Sequence, residues 1–178
     1  MKNRQFFSGF SFNQVITLLL VGLLFYSAFI YFQSNSNERL FVQYFEPAEN
    51  SFISFRGDDS PQSPALEKAM VFYENENFEA ALPHFENHLI SKADDFKAML
   101  YAGISHLKSY QLNKSIALLK TTRINAPKYF EEAGWYLALA HIRNEQLEDA
   151  TLILQEIVES GETVYMEKAD ALLEEIGG

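Results

Sequence analysis

The chain has 178 residues, room for one domain with a tail or an anchor. Acidic residues outnumber basic ones by 24 to 14, a net charge of −10, and a surface of that sign repels phosphate backbones, which removes nucleic acid from the expected partners. Cysteine is absent, so disulfides, thiolate metal sites and cysteine nucleophiles are excluded together.

From Gln5 to Asn37 no residue is charged, and inside this stretch runs VITLLLVGLLFYSAFIYF, Val15 to Phe32. As a helix it extends about 27 Å at about 1.5 Å per residue, close to the roughly 30 Å hydrocarbon core of a bilayer. The pattern predicts a transmembrane helix over residues 13–33. A secretory signal has a shorter apolar core and a small-x-small cleavage site, whereas this stretch is longer and is followed only by Ser34-Asn35-Ser36, so its length points to a retained anchor. Lys2 and Arg4 precede the span, while Arg39 and Arg56 beyond it are offset by Glu38 and Glu46. That bias predicts a cytoplasmic N-terminus, residues 1–12, with the rest of the chain on the far side of the membrane.

Residues 34–61 read as a linker. Ser34-Asn35-Ser36-Asn37 suits an exit from the membrane and the cap of a new helix. Leu40, Phe41, Tyr44 and Phe45 then follow at helical spacing, ended by Pro47. With Phe52 and Phe55 these aromatics are too many for an unstructured tether, and packing onto the neighbouring domain is expected. Arg56-Gly57-Asp58 spells an integrin-binding tripeptide, but three residues carry little information.

From residue 62 onward the sequence repeats itself. YAGISHLKSYQLNKSIALL, starting at Tyr101, is echoed by YLALAHIRNEQLEDATLIL, starting at Tyr136, and more weakly by EKAMVFYENENFEAALPHF, starting at Glu67. In register stand Ala69, Gly103 and Ala138, then Phe78, Leu112 and Leu147, then Ala81, Ser115 and Ala150. Each copy is an apolar helix, a polar turn and a second apolar helix, which predicts a helical hairpin. A last segment, TVYMEKADALLEEI, puts Tyr165, Ala169, Leu172, Leu173 and Ile176 on one side and acids opposite, as a helix covering the open end of a stack would.

Gly103, Ala81, Ala150, Phe85 and Pro127 stand where the tetratricopeptide repeat (TPR) places Gly, Ala, Phe and Pro, and the period matches as well. Trp135 is one residue away from the family's Trp, His106 and His141 replace its helix A Tyr, and Ser115 replaces its helix B Ala. The chain thus resembles the TPR family, and its whole plan is similar to small membrane-anchored TPR proteins of bacteria. The resemblance implies an all-α fold in which residues 62–178 form repeats at about 62–95, 96–130 and 131–164 with a cap at 165–176. It also implies a concave groove lined by set positions of each first helix: Ser63, Leu66, Met70, Tyr73 and Glu74, then Lys97, Leu100, Ile104, Leu107 and Lys108, then Glu132, Trp135, Leu139, Ile142 and Arg143. Leu100, Ile104, Lys108, Trp135, Leu139 and Arg143 are the partner-binding residues it suggests. The aromatic segment of the linker is expected to pack on the repeat domain while leaving the surface around Trp135, Leu139 and Arg143 available.

Chemistry is hard to find. His84 and His88 lie four apart with Glu86 between them, yet a third metal ligand at matching spacing and the order His-Glu-x-x-His are both missing. His106 and His141 fall at one repeat position, which argues for packing. Glu131-Glu132 and Glu174-Glu175 read as solvated charge. With no phosphate loop, nucleophile elbow or triad order, the sequence predicts a protein that is not an enzyme and takes no cofactor or metal. The expected role is a protein-binding scaffold or adaptor on the periplasmic side of the bacterial inner membrane, with another envelope protein as partner. The alternative is a structural or ancillary subunit of an envelope secretion, chaperone or regulatory complex, whose groove is filled by its own linker.

Overall fold

In the computed structural model, residues 12–49, 63–160 and 164–177 are described, and every regular element among them is helical. Phe52, Phe55 and the Arg56-Gly57-Asp58 tripeptide lie outside the described residues, as do residues 1–11.

An uncharged, largely apolar stretch, followed by Glu38 and Arg39 and free of proline throughout, forms one long helix, α1, Phe12–Tyr44. It is long and apolar enough to cross a membrane, and its apolar stretch is not buried against the rest of the protein. The break expected at residue 34 is absent. Ser and Asn cost a helix only a few tenths of a kcal/mol each relative to alanine, and just beyond them Leu40 and Phe41 gain a buried site on the same helix. The linker therefore starts after Tyr44, about two turns past the buried Asn37.

The remaining helices come in hairpins: α2 (Pro64–Glu74) with α3 (Phe78–Ser91), α4 (Phe96–Lys108) with α5 (Leu112–Asn125), and α6 (Phe130–Arg143) with α7 (Leu147–Ser160). A 3-10 turn at Pro127–Tyr129 leads into α6, and α8 (Val164–Gly177) packs on α7 through Ala169 and Leu172. Each helix packs chiefly on its neighbours in sequence. Phe78, Leu112 and Leu147 each open a second helix, and Ala81, Ser115 and Ala150 follow fully buried one turn later.

The three hairpins close in the same way. Glu76, Tyr110 and Glu145 adopt φ of 54°, 61° and 60°, and the next N–H reaches back five residues: Asn77 to the Phe72 carbonyl at 2.9 Å, Gln111 to His106 at 2.9 Å and Gln146 to His141 at 2.8 Å. This left-handed closure satisfies carbonyls the helix end would leave open, and it favours glycine. None of the three positions has it. Glu145→Gly is accordingly expected to stabilise the fold by about 0.5–1 kcal/mol, relief of left-handed strain exceeding the entropy added to the unfolded chain. A urea midpoint at or below the parent's would refute this.

The crossing of α4 and α5 depends on Gly103. A Cβ there would meet Leu119 Cγ and Cδ2 at 2.8 Å, and Ser115 donates its hydroxyl to the Gly103 carbonyl at 2.8 Å. Ala69 and Ala138, in the same register, are fully buried.

Candidate functional site

The inner faces of α2, α4 and α6 form one apolar surface. Leu66, Met70, Tyr73, Leu100, Ile104, Leu107, Trp135, Leu139 and Ile142, all expected along the groove, are buried there in a single core cluster. What covers part of that surface is the chain's own segment 37–49.

Phe41 is 1% exposed, and Leu40, Phe45 and Ala48 are buried with it. The rings of Phe41 and Phe45 lie 4.9 Å apart, and Phe45 meets Phe78 and Tyr136 edge-on at 6.4 and 6.2 Å. Tyr44 meets Trp135 at 6.3 Å in the same manner. Two cations close over this cluster: Lys108 Nζ is 4.7 Å from the centre of the Phe45 ring, and the Arg143 guanidinium is 4.1 Å from that of Phe41. Such contacts each add about 0.5–2 kcal/mol, more as water is excluded.

Arg143 has a second task. Its Nε and Nη2 donate to the two carboxylate oxygens of Glu38 at 2.9 and 2.8 Å, and Nη1 donates to the Leu107 carbonyl at 2.8 Å. The planar fork thus ties α1, α4 and α6 in one geometry, which a lysine could not reproduce. The surface around Trp135, Leu139 and Arg143, expected to be open, is occupied: Trp135 and Leu139 are at most 1% exposed and Arg143 is committed to Glu38. The alternative of a groove filled by the chain's own linker allowed for this, but the sequence pattern ranks positions by type and does not say which of them the aromatic segment covers.

Farther along, the non-helical backbone beyond Tyr44 is held by phenols. Tyr136 donates to the Glu46 carbonyl at 2.8 Å and Tyr101 to the Glu49 carbonyl at 2.6 Å. Burial raises the Tyr136 phenol pKa far above its ordinary range, so it remains a donor at any physiological pH. On the outer side Lys168 donates to Glu46 at 2.6 Å, and Gln43 and Tyr44 both donate to Glu175 Oε1 at 2.7 Å. Glu175 is exposed, as expected, and also serves as a docking point for α1. Glu132 departs from expectation: it is half-buried, and burial raises its carboxyl pKa against the opposing pull of Lys97 and Lys128.

The histidines do not converge. His84 stacks on Phe72 at 5.5 Å, while His88, buried, has Nδ1 2.6 Å from Ser63 Oγ and Nε2 2.9 Å from Asp95 Oδ2. Among the described residues no group of three potential metal ligands assembles. Ser63, His88 and Asp95 are linked in the order of a hydrolase relay, a constellation the sequence does not reveal because the residues are scattered along the chain. Ser63 Oγ, however, also accepts the Leu66 N–H at 3.2 Å, and Asp95 Oδ1 accepts the Ala98 N–H at 2.9 Å. Both residues cap helices, and His88 joins the caps of α2 and α4 through α3. His106 and His141, one repeat apart, place Nδ1 3.1 and 3.0 Å from Gln111 and Gln146 Oε1 across their hairpin turns. Burial pushes the His106 pKa down, which keeps that ring neutral.

No family model matches this sequence, and neither does any curated protein or solved structure.

Proposed function

We propose that the chain is a membrane-anchored, TPR-like scaffold or ancillary subunit of a cell-envelope complex, with residues 1–12 cytoplasmic and the helical domain on the periplasmic side. The single observation that carries this reading is the occupied groove. The segment emerging from the apolar helix fills the surface that the resemblance assigns to a partner, with Phe41 buried and Glu38 locked to Arg143. Leu100, Ile104, Lys108, Trp135, Leu139 and Arg143 then fix the domain to its own anchor, and contacts with another envelope protein fall to the outer faces. This is the self-filled alternative, and it accounts for the burial of large aromatics that an open adaptor would leave in water.

The chain has no cysteine, so single cysteines report topology cleanly. A membrane-impermeant maleimide applied to spheroplasts is expected to label Glu145→Cys and to spare Ser8→Cys; the reverse pattern overturns the orientation. After crosslinking in intact membranes, a tagged chain is expected to bring down a second, different envelope polypeptide. Recovery of this chain alone, or only of its own dimer, overturns the scaffold reading.

A further inference from the structure

Charge along the chain is divided unevenly. Residues 92–128 hold seven Lys or Arg against two Asp, while residues 129–178 hold two against twelve Asp or Glu. The two signs meet on the outer face of the stack. On α5 the exposed positions include Asn113, Lys114, Ala117, Lys120, Thr121 and Ile124, and no acid is among them. On α7 they include Glu148, Asp149, Leu152, Gln155, Glu156 and Glu159, and no base is among them. Lys120 has no ion-pair partner among the described residues, and neither do Glu148 and Glu159.

The apolar features of this face match as well. Leu152, on α7, is 60% exposed and stands out from the acidic stripe. Beside Ala117, on α5, an open apolar cleft of about 380 Å³ runs between α3 and α5, lined by Leu89, Ile90 and Leu118 with Lys114 and Glu86 at its rim. The two helices flank α6 and are linked directly, since Arg123 pairs with Glu156 over Gly134, where a Cβ would meet Arg123 Nε at 3.0 Å and Ile157 Cδ1 at 3.5 Å. They are equivalent elements of successive hairpins, so their exposed residues correspond at a spacing of 35: Asn113 with Glu148, Lys114 with Asp149, Ala117 with Leu152.

We infer that this face binds a second copy of the chain, with α5 of each copy against α7 of the other about a two-fold axis parallel to the helices. An axis in that direction lets both interfaces form at once and closes the assembly at two. At equal height it sets Lys114 against Asp149 of the second copy, Lys120 against Gln155 and Glu156, and Leu152 over Ala117 and the cleft. Two chains anchored side by side satisfy the same axis when it follows the membrane normal, and it is here that the inference rests on the proposed membrane anchorage. Opposite stripes steer the encounter and set its register, and the Leu152 contacts exclude water at its centre. Confinement to one membrane raises the effective concentration, so a modest interface suffices.

The test uses the full-length chain in membranes with two differently tagged copies. Ala117→Cys in one and Leu152→Cys in the other are expected to form a disulfide heterodimer on mild oxidation, severalfold above the product of either variant alone. Lys114→Glu with Lys120→Glu, and separately Glu148→Lys with Asp149→Lys, are each expected to abolish self-association as judged by recovery of one tag with the other. Mixing the two charge-reversed chains is expected to restore it, because the interface that joins the two reversed stripes is again complementary. All four positions are exposed, so unchanged melting of each variant checks the fold. Absence of the disulfide heterodimer between the Ala117→Cys and Leu152→Cys chains in the presence of folded protein, or failure of the charge-reversed pair to recover association, overturns the inference while leaving the topology labelling untouched.

Discussion

Serine at Phe41, Tyr44 and Phe45 together is expected to remove about 6 kcal/mol or more from the stability of a soluble chain beginning at Ser36, since truncating a buried Phe costs about 3–5 kcal/mol each time. Phe41 and Phe45 are buried among Tyr136, Phe78, Lys108 and Arg143. Tyr44 adds its contacts with Trp135 and Glu175. Since whole domains are stable by only about 5–15 kcal/mol, this variant stands near the unfolding threshold. A fragment starting at Ser63, which the repeat pattern alone predicts to fold by itself, loses the same cover and is expected to behave likewise. Urea denaturation followed by circular dichroism compares all three, and coincident midpoints would show that segment 37–49 does not hold the groove.

Gly103→Leu is the second change with a large expected effect. Even a methyl group at this position collides with Leu119, which is fully buried and cannot swing into solvent. A leucine must push α4 from α5 and stretch the Ser115 hydroxyl away from the Gly103 carbonyl. Overpacking of this kind costs about 1–3 kcal/mol, with the lost buried hydrogen bond adding about 1 kcal/mol. Gly177, whose Cβ would meet nothing within 4 Å, provides the control. Equal melting of Gly103→Leu and Gly177→Leu would mean that the α4–α5 crossing is not as described.

The helical hairpins were legible because their information is local. Apolar spacing marks the helices, short polar runs mark the turns, and small residues at Ala69, Gly103 and Ala138 mark the crossings. The continuity of α1 was not, since Ser34-Asn35-Ser36-Asn37 is a fair cap in isolation and becomes helix only because Leu40 and Phe41 dock with the rest of the chain. Leu100, Ile104, Trp135 and Leu139 could be read as apolar positions of one surface, but periodicity is silent on what covers a surface. His88 shows the same limit. Its four-residue spacing from His84 invites a metal, whereas Ser63 and Asp95, which take both of its nitrogens, come from the ends of other helices. The charge division between α5 and α7 is present in the sequence in full, and it acquires meaning only once the fold puts the two stripes on one face.

The unbroken passage of α1 from its apolar stretch into the groove has a mechanical consequence. Arg143 holds Glu38 a short way beyond the predicted end of the span at residue 33, about 8 Å of helix. A domain on a floppy leash sweeps a hemisphere and can catch targets tens of ångströms away. With the proposed anchorage the leash has no slack, so the domain would keep a fixed height and tilt and be left with drifting in the plane and spinning about its stalk. Its search would then be two-dimensional, and anything it meets would have to come to the bilayer surface or already live there.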